Sequence, residues 1–143
     1  MSYSVQIAVD SKNPHLLADW WAETLGWQVE SSNEDFIRSM LAQGYAEESD
    51  TIVYRGALVW KDGAAINPPE GLPGGARMLF QSAPEEKTVK NRVHLDIRVT
   101  GNSKDEVRAS LEARGARFLW HASQGPHAWY TMADPEGNEF CVS

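Results

Sequence analysis

The sequence predicts an α+β fold of two βαβββ modules, joined as a half-closed mixed β-barrel with the helices outside. Three observations lead there. Apolar residues alternate with others in "SVQIAV" near the start and again in "RVHLDIRV" from residue 92, the period of two that marks a strand. Each run is followed by an amphipathic stretch of helical period that stops at a glycine, Gly26 and Gly115. The two copies also keep step, with Val9 and Val99 offset by 90 residues and the two glycines by 89. A slip of one residue over a strand and a helix indicates a duplicated module, longer than the repeats of small solenoids.

The elements follow in order. "SVQIAV" places Val5, Ile7 and Val9 on one side of a first strand. "NPHLLADWWAETLG" is a helix, with Asn13 as N-cap, Pro14 at the first helical position, and Leu17, Trp20, Trp21 and Leu25 as its apolar stripe. "WQVE" starts a second strand. "SSNEDFIRSMLAQG" is a further helix, with Ser32 and Asp35 at capping-box spacing, Phe36, Ile37, Met40 and Leu41 as its face, and Gly44 as its end. "TIVYRGALVW" and "GAAI" are strands around the turn "KDG"; "NPPEGLPGG" is a loop, and "ARMLFQSA" a strand. The polar stretch "PEEKTVKN" separates modules of approximately 1–84 and 91–143 within one domain, 1–143. In the second module, "SKDEVRASLEARG" is a helix with a Ser103/Glu106 capping box and a stripe of Val107 and Leu111. "ARFLW", "AWYTMA" and "NEFCVS" are strands, with "DPEG" as the hairpin turn before the last.

Register assigns the faces. Odd residues of both first strands are apolar and turn to the helices, so Ser4, Gln6 and Ala8, and His94, Asp96 and Arg98, face the other way. In the last strands Phe80 matches Phe140 on the core side and Gln81 matches Cys141 opposite. The non-helix faces of both modules are expected to form one concave surface. On it His94 is a candidate ligand-binding group or general base, and Glu139 a candidate general base. Asp96 shares the face but stands about 7 Å from His94 along an extended strand. Trp60, Trp129 and Tyr130 are placed to stack a planar ligand. His121 and His127 flank "ASQGP", expected as a loop over the cavity mouth, and His15 is expected at the surface. Arg77 and Lys90, near module ends, are candidates for an anionic substrate group, with surface charge as the plainer reading.

Composition sets the outer limits. A charge of −7 argues against nucleic acid or an anionic membrane as partner, since both require a basic surface. Cys141 is the only cysteine, so no internal disulfide forms, and a free cysteine is most often a small buried hydrophobe. No apolar run approaches the roughly 20 residues of a membrane span, and "MSYSVQIAVD" lacks the pattern of a signal peptide. The expected location is cytoplasmic.

The runs "VHLDIRV", "NPHLLADWWAETLGW" and "ADPEGNEFCV" resemble the glyoxalase/bleomycin-resistance/extradiol-dioxygenase superfamily, the vicinal oxygen chelate proteins. "VWKDGAA", "LFQSAPEEKTVKNRVHLD" and "DPEGNEFC" resemble bacterial glyoxalase-like proteins within it. The resemblance implies a glyoxalase-like fold and a homodimer. It also implies metal positions at the start of each module's first strand and on each last strand, here Ser4, His94, Gln81 and Cys141. Only His94 is a usual ligand at its place; hydroxyl and amide are feeble donors, and a Cys141 thiolate would favour a soft metal. The expectation is therefore recognition of a small organic molecule, planar or aromatic, in the concave sheet. His94, Gln81, Asp96, Trp60, Trp129 and Cys141 would bind it, with no obligatory metal or other cofactor. The alternative is a metal-dependent isomerase, lyase or dioxygenase with His94, Gln81 and Cys141 at a divalent ion. Whether the chain is an enzyme stays open at this level.

Overall fold

Residues 1–143 are described by a computed structural model, and their contacts divide the chain into two units, Met1–Pro84 and Glu85–Ser143. Unit 1 contains β1 (Ile7–Ser11), α1 (Pro14–Leu25), β2 (Gln28–Val29), α2 (Glu34–Ala42), a 3₁₀ turn (Glu48–Asp50), β3 (Thr51–Tyr54), β4 (Ala57–Trp60), β5 (Gly63–Asn67) and β6 (Met78–Ser82). Its main sheet has the order β1-β6-β5-β2, with β1 parallel to β6 and the other pairs antiparallel. Strands β3 and β4 form a separate hairpin. Helix α1 buries Leu17, Ala18, Trp20 and Trp21 and packs on β5 and β6, whose Ile66, Met78 and Phe80 are almost fully buried. Each such side chain contributes about 1.5–3 kcal/mol through its burial.

Unit 2 repeats the plan with β7 (Leu95–Ile97), α3 (Lys104–Ala113), β8 (Arg117–Gln124), β9 (His127–Ala133) and β10 (Glu139–Val142). The order is β7-β10-β9-β8, with β7 parallel to β10. Leu111, Met132, Phe140 and Val142 form its core. The capping box of α3 is complete: Ser103 Oγ accepts from the Glu106 N–H at 3.1 Å, and the Ser103 N–H donates to Glu106 Oε2 at 3.3 Å. The turn before β10 is built on Asp134, whose Oδ1 accepts from the Glu136 and Asn138 N–H groups at 2.9 and 3.0 Å. With three helices and separate sheets, none closed into a barrel, the fold is mixed α+β.

Several local expectations change. The first strands begin later than alternation suggests, at Ile7 and Leu95, where the parallel pairing with β6 and β10 begins opposite Met78 and Phe140. Val5 and Val93, one step earlier on the apolar side, are 75% and 85% exposed. Ser4 thus lies outside the sheet. The paired strands also reset the repeat. Gln81 sits opposite Asp10, and Cys141 opposite Asp96. The Ala83 N–H donates to the Ser11 carbonyl just as the Ser143 N–H donates to that of Ile97. The counterpart of His94 is therefore Ala8, not Ser4, and that of Asp96 is Asp10. The four-residue discrepancy lies in the connection to α3, which runs over 98–103 where α1 follows β1 after Lys12 and Asn13.

Helix α2 is capped by Asn33 rather than Ser32; at φ 53°, Asn33 accepts from the Phe36 N–H at 3.2 Å. Asn13 makes no side-chain cap to α1. "TIVYRGALVW" is cut by a turn at Arg55 and Gly56, both at positive φ, the geometry that lets a two-residue loop follow the strand twist. "ASQGP" is not a loop: the β8–β9 ladder runs to Gln124 opposite His127, leaving Gly125 and Pro126 as a tight turn. His15 is buried, its Nε2 2.7 Å from the Trp60 carbonyl oxygen.

Candidate functional site

In unit 2 the row that opens β7 closes on itself. His94 stands just before the strand and Asp96 within it, yet His94 Nε2 lies 3.3 Å from Asp96 Oδ1. The spacing expected from an ideal strand fails because both side chains lean together. Cys141, opposite Asp96 on β10, completes a group of three whose ligand atoms all lie within 4.8 Å of one another. Its thiol is 3.5 Å from Thr131 Oγ1. Burial pushes the Cys141 thiol up; the Thr131 hydroxyl opposes it, and the Asp96 carboxylate adds to the rise. The sulfur is thus held as a thiol, not as an activated nucleophile.

Glu139 is engaged elsewhere. Its Oε1 accepts from Lys87 Nζ at 3.0 Å and its Oε2 from the Asn91 N–H at 2.9 Å. Burial alone would raise its pKa; these two donors and its own backbone N–H outweigh that and hold the carboxyl below the ordinary glutamate range. Such a carboxylate is a weak base whose lone pairs tie residues 87–91 to β10. Trp129 is half-buried opposite Ala122 in the β8–β9 hairpin. Arg77 is bound to Glu30 and Gln6, and Lys90 Nζ donates to the Asn91 carbonyl.

In unit 1 two expected residues meet in one cavity. Gln81 and Trp60 line a space of about 440 Å³ together with Phe36, Met40, Tyr45, Ala46, Asp50, Asp62, Gly63 and Leu79. The alternation of β6 explains the floor: Met78 and Phe80 go to the core, while Leu79 and Gln81 go to the other face. Gln81 Nε2 is 3.4 Å from Asp10 Oδ1, which leaves the amide oxygen as its acceptor. Phe36 and Met40, one helical turn apart on α2, supply a wall, while Ile37 alone of that helix is fully buried. The sequence reading had placed all of these in one core face. Tyr45, Asp50 and Asp62 carried no signal there, because they come from connections whose path the alternation does not define. A second cavity of about 260 Å³ lies at the start of α1, lined among others by Lys12, His15, Tyr54 and Lys61.

Residues 6–143 match the family model of the glyoxalase-like domain, and the chain belongs to that family. Among solved structures, a mutant of the fosfomycin resistance protein FosX from Listeria monocytogenes, complexed with Mn(II) and 1S,2S-dihydroxypropylphosphonic acid, is 10% identical with a TM-score of 0.64, covering 99% of this chain and 91% of its own. FosX from Mesorhizobium loti is 7% identical with a TM-score of 0.62, over 99% and 90%. A glyoxalase/bleomycin resistance protein/dioxygenase family enzyme from Burkholderia phytofirmans is 13% identical with a TM-score of 0.58, over 96% and 94%. At these identities the likeness is one of fold, that of the vicinal oxygen chelate superfamily of metal-dependent enzymes and binding proteins. No curated protein matches the chain. No helix is long and apolar enough to cross a membrane.

The superfamily implies a metal, and the donors of unit 2 can be tested against one. His94, Asp96 and Cys141 offer an imidazole, a carboxylate and a thiol at mutual distances that suit ligands of one ion. The set fits a soft divalent ion such as zinc better than manganese, which prefers oxygen. Binding would require the Cys141 proton to leave, so affinity would rise with pH.

Proposed function

We propose that the chain recognises a small organic molecule with a planar or aromatic part, in the cavity of unit 1 and without an obligatory metal. The observation that carries this is the meeting of Trp60 and Gln81 in one space with Phe36, Tyr45, Met40 and Leu79. Apolar and aromatic walls provide affinity, and a few polar groups fix orientation. About 440 Å³ lies within the usual size of such sites. The reading treats the chain as one glyoxalase-like domain of two modules in a homodimer, as its family resemblance suggests. The test is a screen of planar molecules by thermal shift, followed by NMR of the Trp indole N–H groups. Hits should move the Trp60 resonance, and Gln81→Leu should weaken them by about 1–2 kcal/mol through a lost hydrogen bond. Hits that leave Trp60 unmoved and ignore Gln81→Leu would refute it.

A second reading rests on the His94, Asp96 and Cys141 group. There a bound divalent ion would act as a Lewis acid on the oxygens of a substrate. In that reading His94 Nε2, the Asp96 carboxylate and Cys141 Sγ hold the ion, and Glu139 fixes β10 beneath it. Zinc titration decides it: release of one proton per ion and a raised melting temperature, both lost in His94→Ala, would support this reading; neither effect in the wild type would exclude it.

A further inference from the structure

Resting on the proposed recognition site in unit 1, we propose that its ligand is an organic cation, a planar ring bearing an ammonium or similar positive group. Three features of the cavity point the same way. Its walls present the rings of Phe36, Tyr45 and Trp60, and the first two are 51% and 78% exposed and so open to a ligand. Its charged residues are Asp50 and Asp62, and no lysine or arginine lines it. Its one amide, on Gln81, leans toward the further carboxylate of Asp10.

The surrounding charges strengthen the case. Lys61, next to Asp62 in the chain, lines the separate cavity at the start of α1, together with Lys12. These two cavities therefore carry opposite charge. Asp50 Oδ2 accepts only the Glu47 N–H of its own turn, at 2.8 Å, and Asp62 is in none of the ion pairs of the unit. An anion entering here would meet two carboxylates and no counter-charge. A neutral ring would gain the apolar walls alone. A cation gains the walls and the carboxylates, and aromatic rings attract a cation placed over them.

The test uses three probes that share one indole ring, namely tryptamine, tryptophol and indole-3-acetate, titrated into the 143-residue chain and followed by NMR at the Trp60 indole N–H. Tryptamine should bind more tightly than tryptophol by about three- to tenfold, since the carboxylates are exposed and partly screened. Indole-3-acetate should bind least. The gap between the first two should shrink as salt is raised, narrow in Asp62→Asn, and close when Asp50→Asn is added. If tryptophol moves Trp60 as tightly as tryptamine does, the cavity stands as a site and the cation is refuted. If none of the three moves Trp60, the recognition site falls with it. If tryptamine wins but its advantage survives high salt and both substitutions, the charge is read elsewhere and the inference fails. Salt dependence in the wild-type chain keeps the test decisive even if a variant does not fold.

Discussion

Replacing Glu139 should lower stability by an amount set by its two partners, and the loss should depend on pH. The side chain is 12% exposed and that of Lys87 25%. In Glu139→Ala, Lys87 can turn to water, so its share is about 1 kcal/mol. The Asn91 N–H is half-buried and loses its acceptor at a cost of about 1–2 kcal/mol. The total is about 2–3 kcal/mol, or about 5–10 °C in melting temperature for a chain of this size. Glu139→Gln keeps an oxygen for Asn91 and should cost about half as much. The sign with pH follows from linkage. The folded carboxyl titrates below its unfolded value, so its contribution is fully present above the ordinary glutamate pKa and disappears as pH falls through the folded pKa. Urea denaturation of wild type and Glu139→Gln at neutral pH, and again well below the ordinary value of about 4.3, should therefore show a gap that closes in acid. A gap unchanged by pH, or no gap at neutrality, would refute the anchor and return Glu139 to the list of free bases.

Two further outcomes are expected. Cys141 should react with a thiol reagent far more slowly in the folded chain than in urea at neutral pH, because burial holds it protonated; equal rates would contradict the raised pKa. Ser103→Ala should cost about 1 kcal/mol by removing the acceptor of the Glu106 N–H in the capping box of α3, read by thermal denaturation, and Ser103→Asp should restore most of it.

Much of the fold was legible because it rests on periodicity and on residues with strong local meaning. Gly26 takes the left-handed cap at φ 68°, Ser103 and Glu106 bond reciprocally, and Phe80 and Phe140 occupy matching core positions at 0% and 1% exposure. What failed depended on partners. Alternation shows where side chains point but not where a neighbouring backbone begins, so Ser4 and Val5 were drawn into a strand that starts at Ile7. The capping serine was misplaced by one residue because Asn33 can adopt positive φ at little cost, which spacing does not reveal. Gln81, placed by register, and Trp60, placed by chemistry, line one cavity. His94 and Asp96 were thought too far apart, because strand spacing fixes Cα positions and leaves two flexible side chains free to converge.

The corrected register also explains why a cavity forms where it does. Asp10 opposite Gln81 and Asp96 opposite Cys141 are equivalent positions in two sheets of the same order. What differs is the path from the second strand of each module to the third. In unit 2, β8 passes to β9 through Gly125 and Pro126 alone. In unit 1, the path from β2 to β5 carries α2, the 3₁₀ turn and the β3–β4 hairpin. That inserted segment supplies Phe36, Met40, Tyr45, Asp50 and Trp60 to the wall above Leu79 and Gln81. Unit 2 has no such cover, and its row stays open, with His94 37% and Asp96 63% exposed. The two sheets thus share one order, and the inserted segment turns one of them into a walled cavity.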